Sequence, residues 1–322
     1  MKLFHSLLYP LLGGLFCLSC SDDEQDTGTK QPTTAGEVTF GVDLTGFSTR
    51  VTQDGSSWND GDKIGTYVLD MKTLEPVTEA ANVPYVCSEE GASVSFTSTT
   101  PLKVQNDGTP VKFVAYYPYN ADVRNFNYPV QLAAQERGST ACDLLYAATK
   151  EEYTYSPENE PHISLNFTHR LAKVILKFVN MEKEPLEVSD VRIEGMQTAA
   201  SFNIQTDVLT VDESSVATIN PYHNATTGFY EAIILPSALT DSYKVSFVLD
   251  DREKEWIFTN LDIALPQFHK GYSYTFALYI DDSGFVEMGR LENVEGGNSS
   301  APWEDGSSED GTAEGDKTPV SG

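Results

Sequence analysis

From Glu37 onward the chain alternates apolar and polar positions at the period of a β-strand. Val38, Phe40, Val42 and Leu44 are separated by Thr39, Gly41 and Asp43. A period of two places one set of side chains on a core and the other toward solvent. The habit returns in Ala172, Val174, Leu176 and Phe178, with Lys173 and Lys177 between them. It returns again in Tyr243, Val245, Phe247 and Leu249, and in Tyr272, Tyr274, Phe276, Leu278 and Ile280. Turn signals punctuate these runs at Asp60-Gly61, Asp107-Gly108, Ser156-Pro157 and Asp282-Ser283-Gly284. Amphipathic helical patterns are scarce. One short helix is expected between Val130 and Lys150, where Ala133-Ala134-Gln135-Glu136 and Ala147-Ala148 fall. The fold class predicted is all-β, built as two successive β-sandwiches.

The alternation starts late because the first 36 residues have other patterns. Met1-Lys2 leads into the apolar run Leu7 to Phe16, and Ser19 precedes Cys20. This is the plan of a secretory signal peptide, residues 1–19. A Cys directly after the small residue reads as a bacterial lipoprotein site, with Cys20 acylated as the new N-terminus. The apolar run is short for a membrane span, so the chain is expected to be anchored by lipid. Ser21-Asp22-Asp23-Glu24 resembles the surface-export signal of Bacteroidetes-type lipoproteins. Residues 20–36 are polar and read as a tether. The segment Glu151 to Pro161 carries two prolines and a run of acidic side chains, as linkers do. The expected division is therefore a sandwich at 37–155, a second at 156–290, and an acidic flexible tail at 291–322.

A net charge of −27 excludes the basic footprint of a nucleic-acid binder. It suits an exposed, solvated surface. Of the four cysteines, Cys17 leaves with the signal and Cys20 carries lipid. Cys87 and Cys142 remain in an oxidising compartment, and a disulfide between them is expected.

Signs of catalysis are missing. His162, His169, His223 and His269 stand apart, without the spacing of a metal site. No GxSxG elbow or glycine-rich phosphate loop occurs. Residues 54–65 are rich in oxygen ligands, but Trp58 and Asn59 occupy positions where a calcium loop needs a ligand and a glycine. No catalytic residue, metal or cofactor is expected.

Several phrases together resemble the fimbrillin family of Bacteroidales, in particular its Mfa-like members. They are Arg50-Val51-Thr52 with Trp58-Asn59-Asp60-Gly61-Asp62-Lys63-Ile64-Gly65, then Phe113 to Tyr119 ending in Tyr-Pro-Tyr, Asp143-Leu144-Leu145-Tyr146-Ala147, and Leu165 to Val174. Leu235-Pro236, Gly271 to Phe276 and Pro302-Trp303-Glu304-Asp305-Gly306 follow in order. The resemblance implies transthyretin-like sandwiches, a lipoprotein at the outer-membrane surface and a structural or adhesive part in fimbriae. It also implies cleavage by an Arg-specific protease, here between Arg50 and Val51, which frees the first strand, Val38 to Leu44. Another fimbrial subunit then adds a strand in its place. The region after Leu291 has few apolar residues to donate, which points to a tip or accessory subunit. The other reading is a stand-alone surface lipoprotein that binds a glycan or another host or bacterial ligand and never polymerises.

Overall fold

A computed structural model of the chain describes residues 35–42, 58–77, 81–91, 93–135, 142–261, 265–292 and 304–305. The first eleven strands are β1 (Ala35–Glu37), β2 (Thr39–Val42), β3 (Lys63–Asp70), β4 (Val83–Cys87), β5 (Val94–Thr97), β6 (Lys103–Gln105), β7 (Val111–Tyr117), β8 (Asn127–Gln131), β9 (Leu145–Ala148), β10 (His162–Ser164) and β11 (Thr168–His169). Those that follow are β12 (Ala172–Asn180), β13 (Ser189–Glu194), β14 (Ala199–Asn203), β15 (Val208–Val211), β16 (Tyr222–Asn224), β17 (Phe229–Ile234), β18 (Ser237–Ala238), β19 (Lys244–Leu249), β20 (Arg252–Ile257), β21 (Gln267–Phe268), β22 (Tyr272–Ile280), β23 (Val286–Glu292) and β24 (Glu304–Asp305). The protein is all-β, with no α-helix among the described residues.

The first sheet has the order β10-β2-β5-β4-β3-β7-β9-β11, antiparallel except where β2 runs parallel to β10. Laid flat, eight strands would span roughly 34 Å. Yet the outermost strands are joined by the short link from Ser164 to Thr168, which reaches at most about 14 Å. The sheet must therefore curl on itself. Its concave face encloses a first core that includes Phe40, Trp58, Tyr85, Phe96, Phe113 and Phe167. The β1–β6 pair packs over the same core through Val104.

A second core lies between the sheet β16-β17-β12-β22-β23, joined by β24 beside β22, and the sheet β13-β19-β20. Val174, Leu176, Phe178, Val245, Phe247, Phe276 and Leu278 fill it. The sequence periodicity placed these residues on one face. In β22 the intervening Ser273, Thr275 and Ala277 are buried too, as expected of a strand with neighbours on both faces.

A third core joins the two assemblies. The outward face of β3, β7 and β9, with Tyr67, Leu69, Val114, Tyr116 and Tyr146, packs on Phe202 and Ile204. Here β8 pairs with β14, so a strand from each half shares one small sheet. Gln135 pins the junction: its Nε2 donates to the Ile233 carbonyl at 2.7 Å, and the Ile233 N–H donates to its Oε1 at 2.7 Å. Gln205 Nε2 donates to the Leu74 carbonyl at 2.7 Å.

Three expectations change. The helix between Val130 and Lys150 is not formed in the described part of that stretch: Val130 lies in β8 and Ala147 and Ala148 lie in β9. Burial of Ala147 in the first core and packing of Ala148 on the third outweigh the helix preference of alanine. The first sheet also runs past residue 155, because β10 and β11 supply both of its edges. Tyr153, inside the expected linker, exchanges backbone hydrogen bonds with Val111 at 2.8 and 2.9 Å. Finally, Cys87 and Cys142 are not bridged. Cys87 ends β4 and Cys142 lies three residues before β9; β3 and β7 stand between those two strands and set their axes roughly 14 Å apart, twice the reach of a disulfide. Cys87 Sγ lies 2.8 Å from the Glu89 carbonyl and Cys142 Sγ 3.8 Å from that of Ala134.

Candidate functional site

The residues singled out by their alternation lie in the interior of the first sheet. Val38 and Phe40 are fully buried and Val42 nearly so. Phe40 stands edge-on to Tyr85 at 4.8 Å and to Phe113 at 5.8 Å. On one side β2 pairs with β5, Phe40 opposite Phe96. On the other it pairs with β10, Phe40 opposite Ile163. Leu44, the fourth residue of the pattern, lies outside the described residues, as do Cys20, Arg50 and Val51.

Val38 sits where the strand changes partners, from β6 beside β1 to β5 and β10 beside β2. Its N–H donates to the Leu102 carbonyl at 2.9 Å. The buried Tyr85 hydroxyl donates to the Val38 carbonyl at 2.9 Å and accepts the Leu102 N–H at 2.8 Å. Burial pushes the Tyr85 phenol up to about 12, against the opposing pull of the Leu102 N–H, so it remains a donor. The Thr39 N–H donates to the Pro161 carbonyl at 2.9 Å.

The energy at stake decides what this strand means. Three buried apolar side chains of this size contribute about 1.5–3 kcal/mol each. Such a sum is comparable with the net stability of a whole domain, about 5–15 kcal/mol. Withdrawing the strand would also leave the edges of β5 and β10 without partners.

The other candidate residues behave structurally. Trp58 is buried against Phe96, Tyr117 and Phe167, and its backbone bonds to Gly91. Asp60-Gly61 forms the turn that follows. Asp62 Oδ2 accepts the Asn59 N–H at 2.6 Å and Oδ1 the Tyr117 hydroxyl at 3.3 Å. Burial raises its pKa, against the lowering effect of those two bonds. His169 is buried beside Asp143, with Nδ1 2.8 Å from Oδ2, between β11 and the start of β9. Arg170 pairs with Asp207 and lies over the Tyr146 ring. Among the described residues no cluster of His, Cys, Asp and Glu could hold a metal ion.

Sequence reasoning did not single out Tyr85, Tyr155 or Pro161, and it read His162 only as an isolated histidine. Yet all four surround the first strand. The signal was the pair Gly36 and Gly41: a glycine inside an apolar strand marks a place where something approaches closely.

Fold and site together define an all-β architecture in which an early strand, β2, completes a curled sheet. The family model described as fimbrillin-like matches residues 49–303. The chain belongs to the fimbrillin-like family. A solved structure of a candidate cell adhesion protein from Bacteroides uniformis ATCC 8492 is similar over 80% of this chain and 97% of its own, at 22% identity and a TM-score of 0.64. A second, from Bacteroides ovatus ATCC 8483, is similar over 81% and 97%, at 14% identity and a TM-score of 0.60. Among curated proteins none matches in sequence.

Proposed function

We propose that this chain is a cell-surface fimbrial or adhesive subunit, held by an acyl group on Cys20 and assembled by strand exchange at the slot of Val38, Phe40 and Val42. The observation that carries the proposal is the strand's placement: it is buried and flanked by partners on both sides, yet belongs to an N-terminal piece. The family match begins at Thr49, beside Arg50, and so leaves that piece outside. Cleavage at Arg50–Val51 severs it from Trp58, the next described residue, which is anchored in the first core. The slot then offers unpaired backbone and apolar pockets to an extended segment of another subunit. Val286 and Leu291 of β23 are buried in the second core. Their engagement there favours a donor from another subunit and a tip or accessory place for this one. We further propose that the two sandwiches change over at Arg170–Leu171, after β11.

Treatment of the purified precursor with an Arg-specific protease tests the reading. The precursor is expected to be monomeric, to be cut after Arg50, and then to incorporate a strand from a partner; Arg50→Ala should resist the cut. A cleaved chain that never accepts a strand would leave the stand-alone ligand-binding lipoprotein as the better account.

A further inference from the structure

The slot has walls as well as pockets, and the walls come from one segment. A Cβ placed on Gly36 would lie 2.5 Å from Tyr155 Cε2 and 2.9 Å from Pro161 Cγ. One placed on Gly41 would lie 2.5 Å from His162 Nε2. Neither glycine has a positive φ, so the demand for glycine is steric and not conformational. Tyr155, Pro161 and His162 all belong to the stretch between β9 and the start of β10, much of which reads in sequence as a linker.

We infer that residues 155–162 act as a selectivity strap, admitting to the slot only a strand that lacks a side chain at the position of Gly36 and is small at that of Gly41. The inference rests on the strand-exchange reading above and names the occupant by its chemistry. It is an extended segment of the form Gly-x-apolar-x-aromatic-small-apolar, matching Gly36 to Val42.

The two positions differ in strictness. Pro161 is buried and its ring is rigid, while Tyr155 packs against the first core. A side chain at position 36 therefore meets the buried Pro161 ring, which has no rotamer to turn aside, beside a half-buried Tyr155 ring that packs on the core. His162 is exposed, and its imidazole is held over Gly41 by a bond of 3.0 Å between Nδ1 and Thr39 Oγ1. It can swing into solvent at the loss of that bond. Position 36 is thus the strict one and position 41 the tolerant one.

Two measurements test this. In the intact chain, Gly36→Val should raise the unfolding equilibrium constant about tenfold or more, as overpacking does, and Gly41→Val should raise it less. Adding Tyr155→Ala to Gly36→Val should recover part of that loss, although Tyr155→Ala alone is destabilising. Purely additive effects would overturn the inference, and this result does not depend on strand exchange. The protease-nicked protein is then offered labelled peptides of residues 35–44. The native peptide should incorporate, Gly36→Val should incorporate about tenfold or more slowly, and Gly41→Val should recover with a His162→Ala protein. Equal incorporation of all three peptides would overturn the strap. Failure of every peptide, the native one included, would overturn the strand-exchange reading and the strap's selective role with it.

Discussion

Replacing Phe40 by alanine removes the side chain at the centre of the first strand. Phe40 has no exposure to solvent and stands edge-on to Tyr85 and Phe113, with Phe96 and Ile163 opposite it on the neighbouring strands. No wall around it is free to collapse, since both neighbouring strands are themselves hydrogen-bonded to β2. A buried Phe→Ala change in such a setting costs about 3–5 kcal/mol, from lost transfer energy and from the cavity left behind. That is a large part of the stability of an ordinary domain. Urea unfolding followed by tryptophan fluorescence is a suitable assay, because Trp58 lies in the same core, 5.0 Å from Phe96. Val208→Ala serves as a control: Val208 is 51% exposed, and its loss should change stability by no more than about 0.5 kcal/mol. A loss below about 1 kcal/mol for Phe40→Ala would mean that the strand is a covering and not a part of the core, and the slot argument would fall.

Asp62 should make the stability of the chain depend on pH. Burial raises its folded pKa above the unfolded value, so its contribution is present in acid and is lost as pH rises through and beyond the ordinary carboxylate range. Stability measured against pH should therefore fall more steeply over that range in the native chain than in Asp62→Asn; parallel curves would refute the assignment. Cys87 and Cys142 should both react with a thiol reagent in denatured, unreduced protein, and recovery of a peptide linking the two would contradict their unbridged state.

The fold was legible in the sequence where the cause was local. Alternation identified the buried faces of β2, β12, β19 and β22, because a strand with one face on a core must repeat every second residue. What the sequence withheld was non-local. The pairing of β8 with β14 leaves no mark on either segment alone. The same holds for β10 and β11, short strands that close the first sheet on both edges from beyond an apparent linker. Cys87 and Cys142 lie in the same part of the chain, but two intervening strands keep them apart. At the site, Val38, Phe40 and Val42 could be read from their spacing, whereas Tyr85, Tyr155 and Pro161 acquire their roles only through contacts across the fold. Gly36 and Gly41 were visible, but a glycine announces a close approach without saying what approaches.

The N-terminal residue of the protein recovered from assembled surface material tests the central claim most directly. Mass spectrometry of that material should find chains that begin at Val51, with the piece carrying Val38, Phe40 and Val42 replaced by a strand from another subunit. Chains that begin at acylated Cys20 and still hold their own first strand within the assembly would contradict it.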